Sequence, residues 1–204
     1  MVEFLPQIGD FVAADQPLFA LYGAAAGIDE RSLRATVAIG VERTLEQDPM
    51  FAFRILVDSA IKALSAINDP TTAVLAIDQI HRLLRMVGMR QLRGEVVHDE
   101  GGTARMILRT PDWEDYLRVA CTEIRACGAA QVQIARRMRA MLENLVRSLP
   151  ARRHDSLNVE IDLLDRTIER VYALRDDREL ARIPDVQGIG GSSAASQAAA
   201  NERR

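Results

Sequence analysis

The sequence is nearly devoid of lysine and poor in cysteine and aromatics, and each shortage excludes something. Lys62 is the lone lysine among 26 Lys+Arg residues, and aromatic side chains make up only 4%. Two cysteines, Cys121 and Cys127, are too few for the disulfide framework that staples small secreted domains. On one helix their six-residue spacing sets them about 240° apart, out of bridging reach. They read as reduced, buried thiols of a reducing compartment. His81, His98 and His154 stand far apart, with no HExxH, His-x3-His or CxxC spacing, so no local metal site is expected. No window approaches the roughly 20 apolar residues of a spanning helix; the uncharged stretch from Pro17 to Ile28 is too short. Met1 to Pro6 lacks the basic and apolar regions of a secretory signal. The chain itself is therefore expected neither to cross a membrane nor to be exported.

Catalytic signatures are missing as well. GxGxxG, GxxxxGK[ST] and GxSxG do not occur, and Gly188-Ile189-Gly190-Gly191 follows no strand, so neither a nucleotide site nor a nucleophile elbow is assigned. No cofactor, no metal and no enzymatic activity are expected.

What is present describes a globular chain. Its 204 residues, 29 Asp+Glu against 26 Lys+Arg for a net charge of −3, 48% hydrophobic and 27% charged, suffice for a core without disulfide or metal. Phe4, Phe11, Phe19, Tyr22, Phe51 and Phe53 crowd into the first quarter. The remainder must pack on aliphatic side chains, which suits helices.

Residues 1 to 22 read as short strands, Val2–Leu5, Phe11–Val12 and Leu18–Tyr22, separated by turns through Pro6–Asp10 and Asp15–Pro17. Gly9-Asp10-Phe11-Val12 with Pro17-Leu18-Phe19 resembles half of a biotinyl/lipoyl-type barrel-sandwich. No lysine precedes Lys62, so a swinging-arm carrier is excluded. Asp29 caps a helix predicted from about Glu30 to Leu45, with Leu33, Val37, Val41 and Leu45 at every fourth position. Asp48-Pro49 and Asn68-Asp69-Pro70 are cap-plus-proline starts for helices from Met50 to about Ala66 and Thr71 to about Val87. The first of these is apolar nearly all round, with Arg54, Asp58 and Lys62 on one narrow stripe, and should be buried. Asp99-Glu100-Gly101-Gly102 is the turn of a β-hairpin. From Trp113 to Leu149 apolar residues step by four and three, a heptad seam weakened at Gly128, Gln131 and Ala135. Leu157 to Val171 repeats the step, predicting a long antiparallel helix pair.

Charge supports that pairing. Between Arg125 and Arg153 seven arginines meet one acid, and between Asp155 and Glu179 eight acids meet four arginines. The cluster of Arg136, Arg137, Arg139, Arg147, Arg152 and Arg153 reads as paired within the chain, and no nucleic-acid partner is expected. The predicted fold class is α+β, mostly α-helical. It divides into an N-terminal β unit (1–22), a helical core with the β-hairpin (23–110), an antiparallel helical hairpin (111–183) and a disordered tail (184–204).

The most distinctive string runs from Glu42-Arg43-Thr44-Leu45-Glu46-Gln47-Asp48-Pro49 through Arg54-Ile55-Leu56-Val57-Asp58 and Ala63-Leu64-Ser65 to Asn68-Asp69-Pro70-Thr71-Thr72-Ala73. With Gly9-Asp10-Phe11-Val12 before it, this string resembles a family of predicted bacterial membrane proteins known as domain of unknown function 2254, over roughly residues 5 to 175. The family pattern runs Leu-Ser-Pro-Ala-Ile-Asn-Asp-Pro, and here Ser65-Ala66-Ile67 lacks the proline. The resemblance implies transmembrane helices ahead of this region, absent from this chain, with Met1 a truncation start. The chain is then the soluble portion at the cytoplasmic face of the bacterial inner membrane. No activity comes with the resemblance.

Arg43, Thr44, Gln47, Asp48, Arg54, Asp58, Asn68, Asp69, Thr71 and Thr72 set polar groups beside nearly all-apolar helices, where they must be paired. They are either caps and salt bridges or the lining of an interface or ligand pocket. The leading expectation is a homo-oligomeric assembly and interaction domain. The alternatives are a ligand-sensing or gating domain of a channel or transporter, and an enzyme for an anionic metabolite with Arg43 or Arg54 as anion clamp and Asp58 or Asp69 as base.

Overall fold

A computed structural model describes residues 1–23, 27–66, 68–92 and 94–191. The fold is α+β and mostly helical, and it divides into two compact units, each built from two separate stretches of chain.

The first unit comprises Met1–Phe51 and Leu92–Asp112. Its centre is a four-stranded sheet of β1 (Val2–Phe4), β2 (Phe19–Leu21), β3 (Val96–His98) and β4 (Ala104–Leu108), in the order β2-β1-β4-β3. β1 is antiparallel to β2, with Phe4 opposite Phe19, and parallel to β4, with Phe4 opposite Leu108. The hairpin β3–β4 is irregular at Val97/His98. Asp99 builds its turn, its Oδ1 accepting from the amides of Gly101 (3.0 Å) and Thr103 (2.9 Å). The two β regions that the sequence places in separate domains are thus neighbours in one sheet. Residues Phe11 and Val12 form no strand.

α1 (Glu30–Ala35) starts where expected, with Asp29 accepting from the amides of Arg31 and Ser32. It ends ten residues short of Leu45. The Thr36 hydroxyl donates to the Leu33 carbonyl at 2.7 Å, a local bond that competes with helix continuation. The apolar stripe also lacks a face to bury against: Val41 is fully exposed, so extending the helix gains no burial.

The second unit comprises Ala52–Gln91 and the chain from Trp113 onward. It contains α2 (Pro49–Ala66, whose first residues belong to the sheet-bearing unit), α3 (Pro70–Met89), α4 (Trp113–Gly128), α5 (Val132–Ser148), a 3-10 turn at Ala151–Arg153, α6 (His154–Val171) and α7 (Arg175–Arg182). Helix α5 is the hub, packing against α3, α4, α6 and α7. Ile77, Ile134, Met138, Leu142, Leu145 and Leu157 are almost wholly withdrawn from solvent, each worth about 1.5–3 kcal/mol of burial. The ring of Trp113 is buried under the Arg153 guanidinium at 5.2 Å, a cation–π contact.

The heptad seam from Trp113 to Leu149 is two helices, not one. It breaks at Gly128–Gln131, where a Cβ on Gly128 would stand 2.6 Å from Ile134 Cγ2 and 2.9 Å from Leu64 Cδ1. The missing side chain lets the chain turn and pack α4 and α5 on each other. The expected helix pair is therefore α5 folding back onto α6, with α4 also against α6. Cys121 is buried as expected, whereas Cys127, one residue from the break, is exposed.

The tail prediction fails at its start. Asp185 is completely buried, and its carboxylate accepts from the amides of Gln187 (3.1 Å), Gly188 (2.9 Å) and Gly190 (2.6 Å). Arg136 donates to the carbonyls of Ile183 and Gly190, and Arg137 to those of Asp185 and Val186, each at 3.0–3.1 Å. The glycines that suggest disorder supply the backbone freedom of this clasp, with Gly188 at φ +79° and Gly190 at φ +76°. The rest of the tail, 192–204, lies outside the described residues.

Candidate functional site

A cavity of about 790 Å3 opens in the sheet-bearing unit. Its apolar floor is the sheet: Phe4 and Phe19, with ring centroids 5.4 Å apart, beside Met106 and Leu108. One wall is the turn after β1, closed by Asp10 N–H donating to the Gln7 carbonyl (3.0 Å) and Gln7 N–H donating to Asp10 Oδ2 (2.8 Å). The other wall is the irregular stretch from Thr36 to Thr44, followed by Gln47 and Asp48.

Two sequence motifs almost 40 residues apart meet here. Asp48 is 5% exposed; its Oδ1 accepts from the Met50 amide at 3.0 Å, capping α2, while Oδ2 faces Arg43 Nη1 at 3.4 Å. Gly9, at φ +90°, lies against that carboxylate: an added Cβ would fall under 3.0 Å from Asp48 Oδ2 and 3.6 Å from Arg43 Cζ. The mouth sets large apolar side chains beside the exposed carboxylates of Asp10 and Glu42. Phe11, Ile39 and Val41 are 89%, 77% and 105% exposed, an unusual display for large hydrophobic side chains on one rim.

The ten candidate residues divide. Arg43, Thr44, Gln47 and Asp48 line the cavity; Arg54, Asp58, Asn68, Asp69, Thr71 and Thr72 do not. Arg54 pairs with Asp58 one turn on and holds Glu123 with both terminal nitrogens (2.5 and 3.1 Å), and these bonds, Glu123 foremost, raise the pKa of its guanidinium. Asn68 takes a left-handed backbone, φ +45°, and accepts from Gln131 Nε2 at 3.2 Å. Asp69 caps α3, accepting from the Thr72 hydroxyl (2.6 Å) and amide (3.1 Å), contacts that lower its pKa in that order. Thr71 is exposed in the first turn. Ile67, at the point where the family's proline is missing, lies outside the described residues.

The arginine cluster is committed within its own unit. Arg137 pairs with Asp78 (2.5 Å), Arg139 with Asp165, Arg147 with Glu143 (3.7 Å), and Arg152 and Arg153 donate to the Arg90 carbonyl. Of these partners only Asp165 comes from the acid-rich helix α6. Between α4 and α6, Arg125 Nε and Glu160 Oε2 stand 3.8 Å apart and neither atom has a hydrogen bond. Burial raises the Glu160 pKa against the opposing pull of Arg125. Among the described residues no group of three or more His, Cys, Asp or Glu is placed to hold a metal, and no helix is long and apolar enough to cross a membrane.

Sequence reasoning missed the cavity's mouth. Ile39, Val41 and Glu42 fall within the helix predicted from about Glu30 to Leu45, of the three only Val41 lies on its apolar stripe, and the Gly9-Asp10-Phe11-Val12 phrase reads only as a resemblance.

Residues 1–144 match a family described as predicted membrane proteins, DUF2254, and the chain belongs to that family. Among its relatives are uncharacterized proteins of Mycobacterium tuberculosis, Rv1290c, and of Mycobacterium bovis, Mb1321c, each 32% identical over 183 residues, which cover 85% of this chain. The chain spans about a third, 35%, of the length of each. No solved structure matches the chain.

Proposed function

We propose that this chain is a ligand-sensing domain, lying outside the bilayer, of a bacterial membrane protein, and that the cavity of its sheet-bearing unit is the sensor. The carrying observation is the convergence of Gly9, Arg43, Thr44, Gln47 and Asp48 on one cavity of about 790 Å3, within the roughly 300–1,000 Å3 of small-molecule sites. The two free thiols, one of them exposed, suit a reducing compartment and hence the cytoplasmic side. We attach no reaction to the cavity: Asp58 and Asp69, the acids considered as bases, are outside its lining.

The test is a thermal-shift screen of the 204-residue chain against small molecules, repeated on Thr44→Trp, which sets a bulky side chain on the cavity lining. A ligand that raises Tm in the parent and not in the variant supports the reading, because selective binding to the folded state stabilises it by mass action. No shift at millimolar concentrations sinks it.

Assembly is the second reading, favoured by the exposed Phe11, Ile39 and Val41. Light scattering over a concentration series decides it. A stable oligomer that falls apart in Phe11→Ser with Val41→Ser supports assembly through this rim, and a monomer at all concentrations rejects it.

A further inference from the structure

The charges of the cavity point to the kind of molecule it takes. The sheet-bearing unit holds twelve acids against six arginines, a net charge of −6, while the rest of the chain carries +3. The same bias reaches the lining, where Asp10, Glu42 and Asp48 are acidic and Arg43 is the sole basic residue. Arg43 is not available to an anion on equal terms, because it faces the buried Asp48 carboxylate at 3.4 Å. Asp48 is further served by the Met50 amide. That leaves the exposed carboxylates of Asp10 and Glu42 as the surplus charge at the mouth. Below them lie Phe4, Phe19, Met106 and Leu108, and beside them the exposed rings and branches of Phe11, Ile39 and Val41.

We infer that this cavity binds a lipophilic cation, an apolar body carrying a single positive charge. The apolar body is withdrawn from water over the sheet floor. The charge rests at the mouth among Glu42, Asp10 and the π face of Phe11, an arrangement that also steers cations inward through the acidic field of the unit. An anionic amphiphile of the same shape has only Arg43 to meet, whose charge already faces the Asp48 carboxylate, and it meets Asp10 and Glu42 as like charges. An anionic membrane surface is disfavoured by the same field. This inference rests on the reading of the cavity as a ligand site, and its test separates the two.

The probes are tetraphenylphosphonium and tetraphenylborate, ions of closely similar shape and opposite charge, titrated calorimetrically into the full 204-residue chain at two salt concentrations. The expected result is binding of the phosphonium about tenfold or more tighter than the borate, shrinking as salt rises. Glu42→Gln, at an exposed position, lowers that preference roughly threefold and Glu42→Lys about tenfold. Val41→Ser, also exposed, weakens both ions alike. If both ions bind equally, or the borate better, and Val41→Ser weakens them, the cavity is a ligand site and the cation inference is wrong. If phosphonium binding ignores both the Glu42 and Val41 variants, it occurs elsewhere and the inference falls. If neither ion binds, the inference is overturned, and the small-molecule screen then decides separately whether the cavity binds any ligand.

Discussion

Gly9 and Asp48 are in such close contact that no side chain fits between them: a Cβ on Gly9 would fall under 3.0 Å from the Asp48 carboxylate. Gly9 also sits at φ +90°, a conformation that side-chain-bearing residues adopt at a cost. Gly9→Ala should therefore push Asp48 away from Arg43 and the Met50 amide and lower stability by about 1–3 kcal/mol. Denaturant unfolding measures the loss. Tolerance within a few tenths would mean that the Asp48 side chain moves freely and that the cavity wall is not fixed by this contact.

The Arg125–Glu160 pair is poorly made for its burial, with side chains 15% and 11% exposed and no hydrogen bond between the closest atoms. Removing only the guanidinium strands a buried carboxylate, so Arg125→Ala should cost about 3–5 kcal/mol. Replacing both, Arg125→Met with Glu160→Leu, should be neutral or stabilising. A double variant as damaged as the single would show that the pair is a true source of stability.

Burial raises the Glu160 pKa from its ordinary 4.5, so the folded chain binds this proton more tightly than the unfolded one. The contribution of Glu160 to stability must then fall as pH rises from about 4.5 through the raised value, and level off above it. Urea unfolding across that window should show the decline in the parent and its absence in the Arg125→Met, Glu160→Leu chain. Equal slopes in the two would assign the pH dependence to other groups.

Three backbone amides depend on the buried Asp185 carboxylate. Asp185→Ala leaves them without an acceptor and should cost about 2–4 kcal/mol. Faster amide exchange at Gln187, Gly188 and Gly190 is the specific readout. Unchanged exchange would mean that Arg136 and Arg137 hold the segment unaided.

Arg54, singled out from the sequence, belongs to a partly exposed cluster with Asp58 and Glu123. Arg54→Ala should cost no more than about 1 kcal/mol, checked by thermal unfolding, and leave cavity binding untouched. A chain that fails to fold would put Arg54 among the structural determinants.

How much of this was legible in the sequence depended on how locally each feature is determined. Asp48-Pro49 and Asp69-Pro70 placed α2 and α3 to within a few residues because cap and proline act on adjacent amides. Asp99 placed its hairpin for the same reason. The stripe through Leu33, Val37, Val41 and Leu45 misled, because periodicity marks a helix only if something buries the face. The seam through Gly128 misled in a related way, since a long apolar repeat is equally satisfied by two helices packed on each other. The glycines after Pro184 looked disordered because the Asp185 carboxylate that orders them is a tertiary feature. The site was half visible: Arg43, Thr44, Gln47 and Asp48 were named, but their meeting with Gly9 is a tertiary contact, as is the pairing of β1 with β4.

That pairing governs how the molecule can be made. Strand β1 starts at Val2, and its parallel neighbour β4 at Ala104, so α2 and α3 leave the ribosome while the sheet is still missing half its strands. Both units share this interleaving, for the backbone passes from one to the other near residues 51, 91 and 112. No single cut releases either as a self-sufficient fragment. The apolar floor of the cavity stays incomplete during synthesis until the hairpin emerges, and a nascent chain stalled before Ala104 presents Phe4 and Phe19 without Met106 and Leu108 beside them.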